Sequence, residues 1–169
     1  MRLSLNQSGL VAFTSLTPHD VAALLAAAHA LQQAAQQGAV QPLLRGKKFG
    51  LLCEAYGTGD DDAALFCRAA VELGAHVAHI RPSLWQHSAV QELHESARLL
   101  ARLYDAVECQ GMPAAAVQGL RVHADVPVYD GLASSQHPSS RVAELLDDVA
   151  SPLDRRRFVV QAVLLSSLS

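Results

Sequence analysis

The sequence predicts an α/β fold: a single three-layer domain with a four-stranded parallel sheet flanked by helices. Four short apolar runs, KFGLLCEA, HVAHI, DAVECQ and VPVYDG, alternate with segments of helical character over Asp60–Leu73, Ala89–Leu103 and Pro113–Leu120. Strands that alternate with helices form βαβ units, whose parallel sheet is covered on both faces. The chain has 169 residues, of which 50% are hydrophobic and 17% charged. That length and composition suit one globular domain with its own core.

The segments outside these units are also predicted to be helical. The string TPHD at 17–20 has the pattern of a capping box with proline at the first helical position, and Gly38 is a suitable stop. After the fourth strand, a helix is predicted from Pro138 towards Val149. Ser151-Pro152 is expected to break the chain before a last helix at 153–168, which is apolar over most of its circumference and therefore requires burial.

Composition and charge exclude several classes of partner. The formal net charge is −3, from 13 basic and 16 acidic residues, so there is no basic surplus to neutralise nucleic-acid phosphates. No apolar stretch approaches the length of a membrane span, and the first residues lack the apolar core of a signal peptide. We therefore expect a soluble, cytoplasmic protein with no nucleic acid and no membrane partner. Cys53, Cys67 and Cys109 are expected to be reduced core residues.

The stretch EAYGTGDDDAALF, from Glu54 to Phe66, follows the first strand and opens a helix. A glycine-bearing turn of this kind commonly holds a phosphate, yet here it carries acids at 60–62. Those acids favour helix capping and a solvated helix start over a divalent-cation site, because the spacing of a calcium loop is absent. His76 and His79 lie three apart on a strand, where they face opposite sides. The sequence therefore predicts no metal and no cofactor.

Five ordered strings carry a resemblance to one family: PLLRGKKFGLLCE, ELGAH, RPSLWQ, ESARLLARLYDAV and VPVYDGLASSQHPSSRVAELL. With these strings in this order, the chain resembles the carbamoyl-phosphate-binding (N-terminal) domain of aspartate and ornithine carbamoyltransferases, closer to the ornithine type. The resemblance covers nearly the whole chain. It implies the α/β fold already predicted, and a site at the carboxyl ends of the strands.

The resemblance also implies how the chain is organised. Full-length family members carry a second, amino-acid-binding domain, after which a final helix returns to the first domain. By this comparison residues 1–150 correspond to the carbamoyl-phosphate-binding domain and 153–168 to the returning C-terminal helix. The whole chain, 1–169, is then one domain that lacks the amino-acid-binding domain. An ordinary C-terminal amphipathic helix is the alternative.

The family's phosphate-binding pentapeptide, Ser-Thr-Arg-Thr-Arg, aligns with 59–63, or nearer to Thr58 in a shifted register. Neither register contains an arginine. Gln110 stands where the family has an arginine, and Ser140 stands where it has a glutamine. His137 matches a histidine that contacts the carbamoyl group, and Gln86 a glutamine that reaches a neighbouring subunit's site. The pocket that the resemblance implies, in vestigial form, consists of Thr58, Gly59, Asp60, Asp61, Asp62, Gln86, Gln110, His137 and Ser140.

Three functions follow from these observations. The first is a catalytically inactive relative that acts as an oligomeric binding or scaffold protein, in a trimer that is homotypic or includes a full-length carbamoyltransferase. The second is a minimal carbamoyltransferase completed by a partner chain, with Arg81 or Arg98 folding inward to replace the lost donors. The third is a sensor of a neutral or cationic small molecule, whose charge preference the acidic turn would favour.

Overall fold

The computed structural model describes residues 16–54, 61–82, 90–147 and 149–168. Its elements, in chain order, are α1 Pro18–Gln36, β1 Lys48–Leu52, α2 Asp61–Glu72, β2 His76–Ile80, α3 Val90–Leu103, β3 Ala106–Cys109, α4 Ala114–His123, β4 Val128–Asp130, α5 Ser140–Glu144 and α6 Pro152–Leu168. The strands pair in parallel in the order β2-β1-β3-β4. This confirms the predicted fold class, and it brings the ends of β1, β3 and β4 together at one edge of the sheet.

Alternation along the strands divides the core into two layers. Phe49 and Leu51 of β1 pack on one face, beneath α1, α2, α5 and α6, whereas Leu52 packs on the other, beneath α3 and α4. On β3, Val107 and Cys109 belong to the α3–α4 layer and Ala106 to the opposite layer. The helices therefore cover both faces, as the sequence predicts.

Helices α1 and α6 begin with the same local pattern. Thr17 caps α1, with its hydroxyl oxygen accepting the Asp20 N–H at 3.2 Å while the Asp20 carboxylate accepts the Thr17 N–H at 2.9 Å. Ser151 does the same for α6, accepting the Asp154 N–H at 3.1 Å. The last helix follows a break in the chain as predicted, but it begins one residue earlier than 153, since Pro152 is the first residue of α6. Proline suits that position because its missing N–H has no helical partner there.

The helix predicted from Pro138 to Val149 is also wrong in extent, because α5 covers only Ser140–Glu144. Tight turns flank it on both sides. Before it, the Ser140 N–H donates to the His137 carbonyl at 2.9 Å. Serine side chains compete for nearby backbone groups, which disfavours a regular helix at this point. Helix α4 also differs from the prediction, since it extends to His123, three residues beyond the predicted end at Leu120.

Helix α6 is part of the core. Its residues from Arg157 to Leu164, and Ser167, are buried, and it packs against α1, α2 and α5. Polar contacts fix it to α2, since Glu72 accepts from the Arg157 guanidinium and from Gln161 Nε2, the latter at 3.1 Å. The last helix thus packs back on the domain, as the predicted fold requires. Across the described ranges, no helix combines the length and the apolar character that crossing a membrane requires.

Candidate functional site

The first feature of the site is an ion pair at the N-terminal end of α2. Asp62, the second residue of that helix, accepts a hydrogen bond from Arg156 Nη2 of α6 at 3.1 Å. The same guanidinium nitrogen donates to the carbonyl of Ala133, in the turn after β4. A carboxylate in the first turn of a helix is stabilised by the helix dipole, and here a cation neutralises it as well. Three elements therefore meet at one guanidinium.

Little space remains beside this guanidinium. A cavity of about 10 Å³ lies between the turn after β4, the start of α5 and helix α6. Its lining residues are Leu132, Ala133, Ser134, Ser139, Ser140, Arg156, Val159 and Val160. A volume of this size holds at most about one water molecule. This cavity is therefore too small for a dianion such as carbamoyl phosphate.

Glu108 is a second acid at the same edge of the sheet. It is fully buried, in the centre of β3, and both of its carboxyl oxygens lie within 3.2 Å of the Leu132 N–H. Burial raises the pKa of Glu108 to about 8; hydrogen bonds from the Leu132 and Gly131 N–H groups oppose the rise, and the negative charges of Asp130 and Asp62 add to it. The carboxyl is therefore neutral at physiological pH and fixes the turn that leads towards His137.

His137 is buried in the turn before α5, with a defined tautomer. The Ser139 N–H donates to Nδ1 at 3.2 Å, and the Ser139 hydroxyl lies 2.7 Å from the same nitrogen. Nδ1 is therefore an acceptor, and the ring proton resides on Nε2. Burial lowers the pKa of His137 to about 4, and the positive charge of Arg121 contributes. His137 is thus a neutral imidazole with an Nε2–H donor, which is the form that a contact to a carbonyl oxygen requires.

Ser140 and Gln110 occupy the two remaining described positions of the predicted pocket. The Ser140 hydroxyl donates to the Ser135 carbonyl at 2.9 Å, so its proton is used within the turn. Gln110 follows β3, where its N–H donates to the Leu52 carbonyl at 2.8 Å. Its side-chain Oε1 is buried, with no hydrogen-bond partner among the described residues. Gln110 therefore offers an amide at the sheet edge, and no charge.

The structure brings together only part of the predicted pocket. Asp62 and Ser140 both lie beside Arg156, whereas the described contacts do not join Gln110 to them. Thr58, Gly59, Asp60 and Gln86 lie outside the described residues, as does the side chain of Asp61.

Two residues of the candidate site were not predicted from the sequence. Arg98, one of the arginines expected to fold inward, lies exposed on α3, across the sheet from α6. The guanidinium beside Asp62 belongs instead to Arg156, and the string DRRR at 154–157 was the signal available for it. The second missed residue is Glu108, a lone acid in an otherwise apolar strand.

No metal centre is evident in the part of the chain that the structure describes. There, no three side chains of histidine, cysteine, aspartate or glutamate converge in a way that could hold an ion. His79 instead makes a hydrogen bond with the Cys53 carbonyl at 2.5 Å. The three cysteines are reduced, with Cys53 and Cys109 buried, as predicted. Burial raises the pKa of the Cys109 thiol, which therefore stays protonated.

Comparison with known proteins decides the family. The model of the aspartate/ornithine carbamoyltransferase carbamoyl-phosphate-binding domain matches residues 9–147. The chain belongs to the aspartate/ornithine carbamoyltransferase family. Relatives include the ornithine carbamoyltransferase of Actinobacillus pleuropneumoniae serotype 5b, 32% identical over 162 residues, which cover 94% of this chain and 48% of that protein. The catabolic ornithine carbamoyltransferase of Chromobacterium violaceum is 33% identical over 147 residues, with coverages of 86% and 43%.

Solved carbamoyltransferase structures share the fold. Ornithine carbamoyltransferase from Pyrococcus furiosus superposes with a TM-score of 0.65 and 25% identity, over 76% of this chain and 41% of that one. The enzyme from Thermus thermophilus gives a TM-score of 0.60 with 24% identity, over 79% and 45%. The chain spans about half the length of the curated relatives it matches. Within the carbamoyltransferase family, it therefore corresponds to the carbamoyl-phosphate-binding domain.

Proposed function

We propose that this carbamoyl-phosphate-binding domain does not catalyse carbamoyl transfer and acts as an oligomeric binding or scaffold protein. The proposal rests on one observation: the Arg156 guanidinium, which lies at the N-terminal end of α2, is already paired with the Asp62 carboxylate. Carbamoyl transfer requires donors that stabilise the charge building on the departing phosphate. A guanidinium whose charge is neutralised by an internal carboxylate does not supply that stabilisation.

The other described positions of the pocket support the same function. Gln110 brings an uncharged amide where the resemblance implies an arginine, and Ser140 donates within its own turn. Loss of one well-placed donor lowers a rate by roughly 10²–10³-fold. Loss of several together leaves no useful catalysis. The binding role would then belong to the surface of the domain or to a different ligand.

We also propose that the domain assembles as a trimer in the cytoplasm, homotypic or with a full-length carbamoyltransferase. Val40 and Leu43 are exposed apolar side chains that line one surface cavity together with Leu31 and Leu165. Apolar side chains grouped in this way favour contact with another subunit. Gel filtration with light scattering tests the assembly, and a monomer at working concentrations would contradict it.

The catalytic part of the proposal makes a direct prediction. Purified protein incubated with carbamoyl phosphate and ornithine or aspartate is expected to release phosphate no faster than buffer alone. Colorimetric detection of phosphate measures the rate, and the full-length enzyme from Actinobacillus pleuropneumoniae serves as the positive control. Release that depends on both the protein and the acceptor would contradict the proposal.

Two observations favour a second candidate, a minimal carbamoyltransferase completed by a partner chain. An arginine does reach the head of α2, and His137 presents the Nε2–H tautomer that a carbonyl contact needs. A partner that supplies the amino-acid-binding domain would complete such a site. The same phosphate assay, with a full-length carbamoyltransferase whose own site is inactivated, separates the candidates. Turnover by the mixture and by neither component alone would establish the second one.

A further inference from the structure

The ion pair between Asp62 and Arg156 joins residues 94 positions apart in the chain. Their side chains are 28% and 23% exposed, respectively. Both ions are therefore partly removed from water, where salt screens their attraction less than at an open surface. At the same time, enough of each side chain stays exposed for a dissolved ion to approach. The ion pair is thus formed at a position that dissolved ions can reach.

We propose that Asp62 is an internal anion that occupies the guanidinium of Arg156 and so excludes oxyanions from this site. The inference rests on the proposed function, in which this domain does not hold carbamoyl phosphate for catalysis. Arginine binds carboxylates and phosphates through the same fork of N–H donors. The carboxylate of Asp62 and a dissolved phosphate therefore compete for the same donors.

The competition favours Asp62 for two reasons. A carboxylate fixed on a helix meets its partner as an intramolecular group, at a high effective concentration that a dissolved anion must exceed. Its negative charge also repels an approaching dianion at short range. Without that carboxylate, Arg156 and the positive end of the α2 dipole would face solvent together, and this combination attracts anions. Asp62 is therefore the residue that sets the charge specificity of the site.

The test compares four proteins: the unmodified chain, Asp62→Ser, Asp62→Ser combined with Arg156→Gln, and Asp105→Ser as the control. Asp105 pairs with Lys47 at 3.3 Å, so the control removes a comparable carboxylate elsewhere. The midpoint of thermal unfolding is measured against inorganic phosphate, with chloride replacing it at constant ionic strength. Asp62→Ser is expected to bind phosphate at least about tenfold more tightly than the unmodified chain. At about 10 mM phosphate its midpoint should rise by about 3 °C.

The double variant and the control are expected to respond like the unmodified chain. If Asp62→Ser fails to fold, Asp62→Asn takes its place in the same titration, because asparagine keeps the shape of the aspartate side chain and removes its charge. The inference is overturned if no folded Asp62 variant binds phosphate more tightly than the unmodified chain, or if the double variant binds equally well. Carbamoyl transfer by the unmodified chain would instead contradict the proposed function, whatever the variants do.

Discussion

Truncation of Glu72 to alanine is expected to lower the free energy of unfolding by about 3 kcal/mol, the largest effect that we predict for a single side chain. Arg157 is only 9% exposed in its side chain, and Glu72 is its partner on α2. Gln161 Nε2 donates to the same carboxylate at 3.1 Å. Removing Glu72 leaves a buried cation with Asp154 alone, at 2.9 Å, and weakens the attachment of α6. Chemical denaturation followed by circular dichroism measures the change.

A matched control distinguishes the contacts of Glu72 with Arg157 and Gln161 from ordinary exposed ion pairs. Lys47 and Asp105 form an exposed ion pair, with side chains 40% and 36% exposed. Lys47→Ala is therefore expected to change the stability by less than about 1 kcal/mol. The double variant Glu72→Ala/Arg157→Met should lose less than the sum of its two single changes, because no buried charge is left unpaired. An effect of Glu72→Ala equal to that of Lys47→Ala would contradict the role given to the contacts of Glu72.

The unmodified protein is expected to lose stability as the pH rises, and replacement of Glu108 by glutamine is expected to abolish this loss. The folded-state pKa of Glu108 is about 8, against an ordinary value of 4.5. Between these values the unfolded chain has lost the proton and the folded chain keeps it. The folded state therefore binds more protons, and stability falls as the pH rises through this window. From about pH 6.5 to pH 9 the loss is about 2 kcal/mol, at about 1.4 kcal/mol per unit.

The pH range of this experiment is chosen to separate Glu108 from His137. The pKa of His137 is lowered from 6.5 to about 4, so its effect on stability is confined to pH values below about 6.5. Thermal unfolding of the unmodified chain, Glu108→Gln and Glu95→Gln is recorded across the range above it. Glu95 is exposed on α3 and serves as the control. The Glu108→Gln curve should be flatter than the other two, and three parallel curves would contradict the buried, neutral carboxyl.

Local sequence patterns predicted most of the fold. Alternation of apolar runs and helical segments places β1 to β4 and α2 to α4 correctly, because each such element is specified by its own residues. The TPHD pattern at 17–20 identifies the start of α1, and the similar SPLD pattern at 151–154 marks the start of α6, one residue before the predicted bound at 153. The extent of α5 was not predictable in this way, since the Ser140 hydroxyl donates to the Ser135 carbonyl and holds the turn that precedes the helix.

The site was less predictable because its decisive contact is between residues far apart in sequence. Alignment to the family placed Asp62, Gln110, His137 and Ser140, but no local pattern couples Asp62 to Arg156. The arginines at 155–157 are adjacent in sequence, and only the packing of α6 decides which of them reaches which acid. Burial of Glu108 likewise depends on the layers above β3 and on the turn that donates to it. Tertiary packing determines both features.

The most direct test of the central claim is a calorimetric titration of the unmodified protein with carbamoyl phosphate, with inorganic phosphate as the control ligand. Because Asp62 engages Arg156 and the adjoining cavity has a volume of about 10 Å³, we expect no saturable heat with either ligand up to about 1 mM. Saturable binding of carbamoyl phosphate with a dissociation constant of about 1–10 μM would contradict the closed site. Other groups would then hold the phosphate, and the domain would be a functional carbamoyl-phosphate-binding unit.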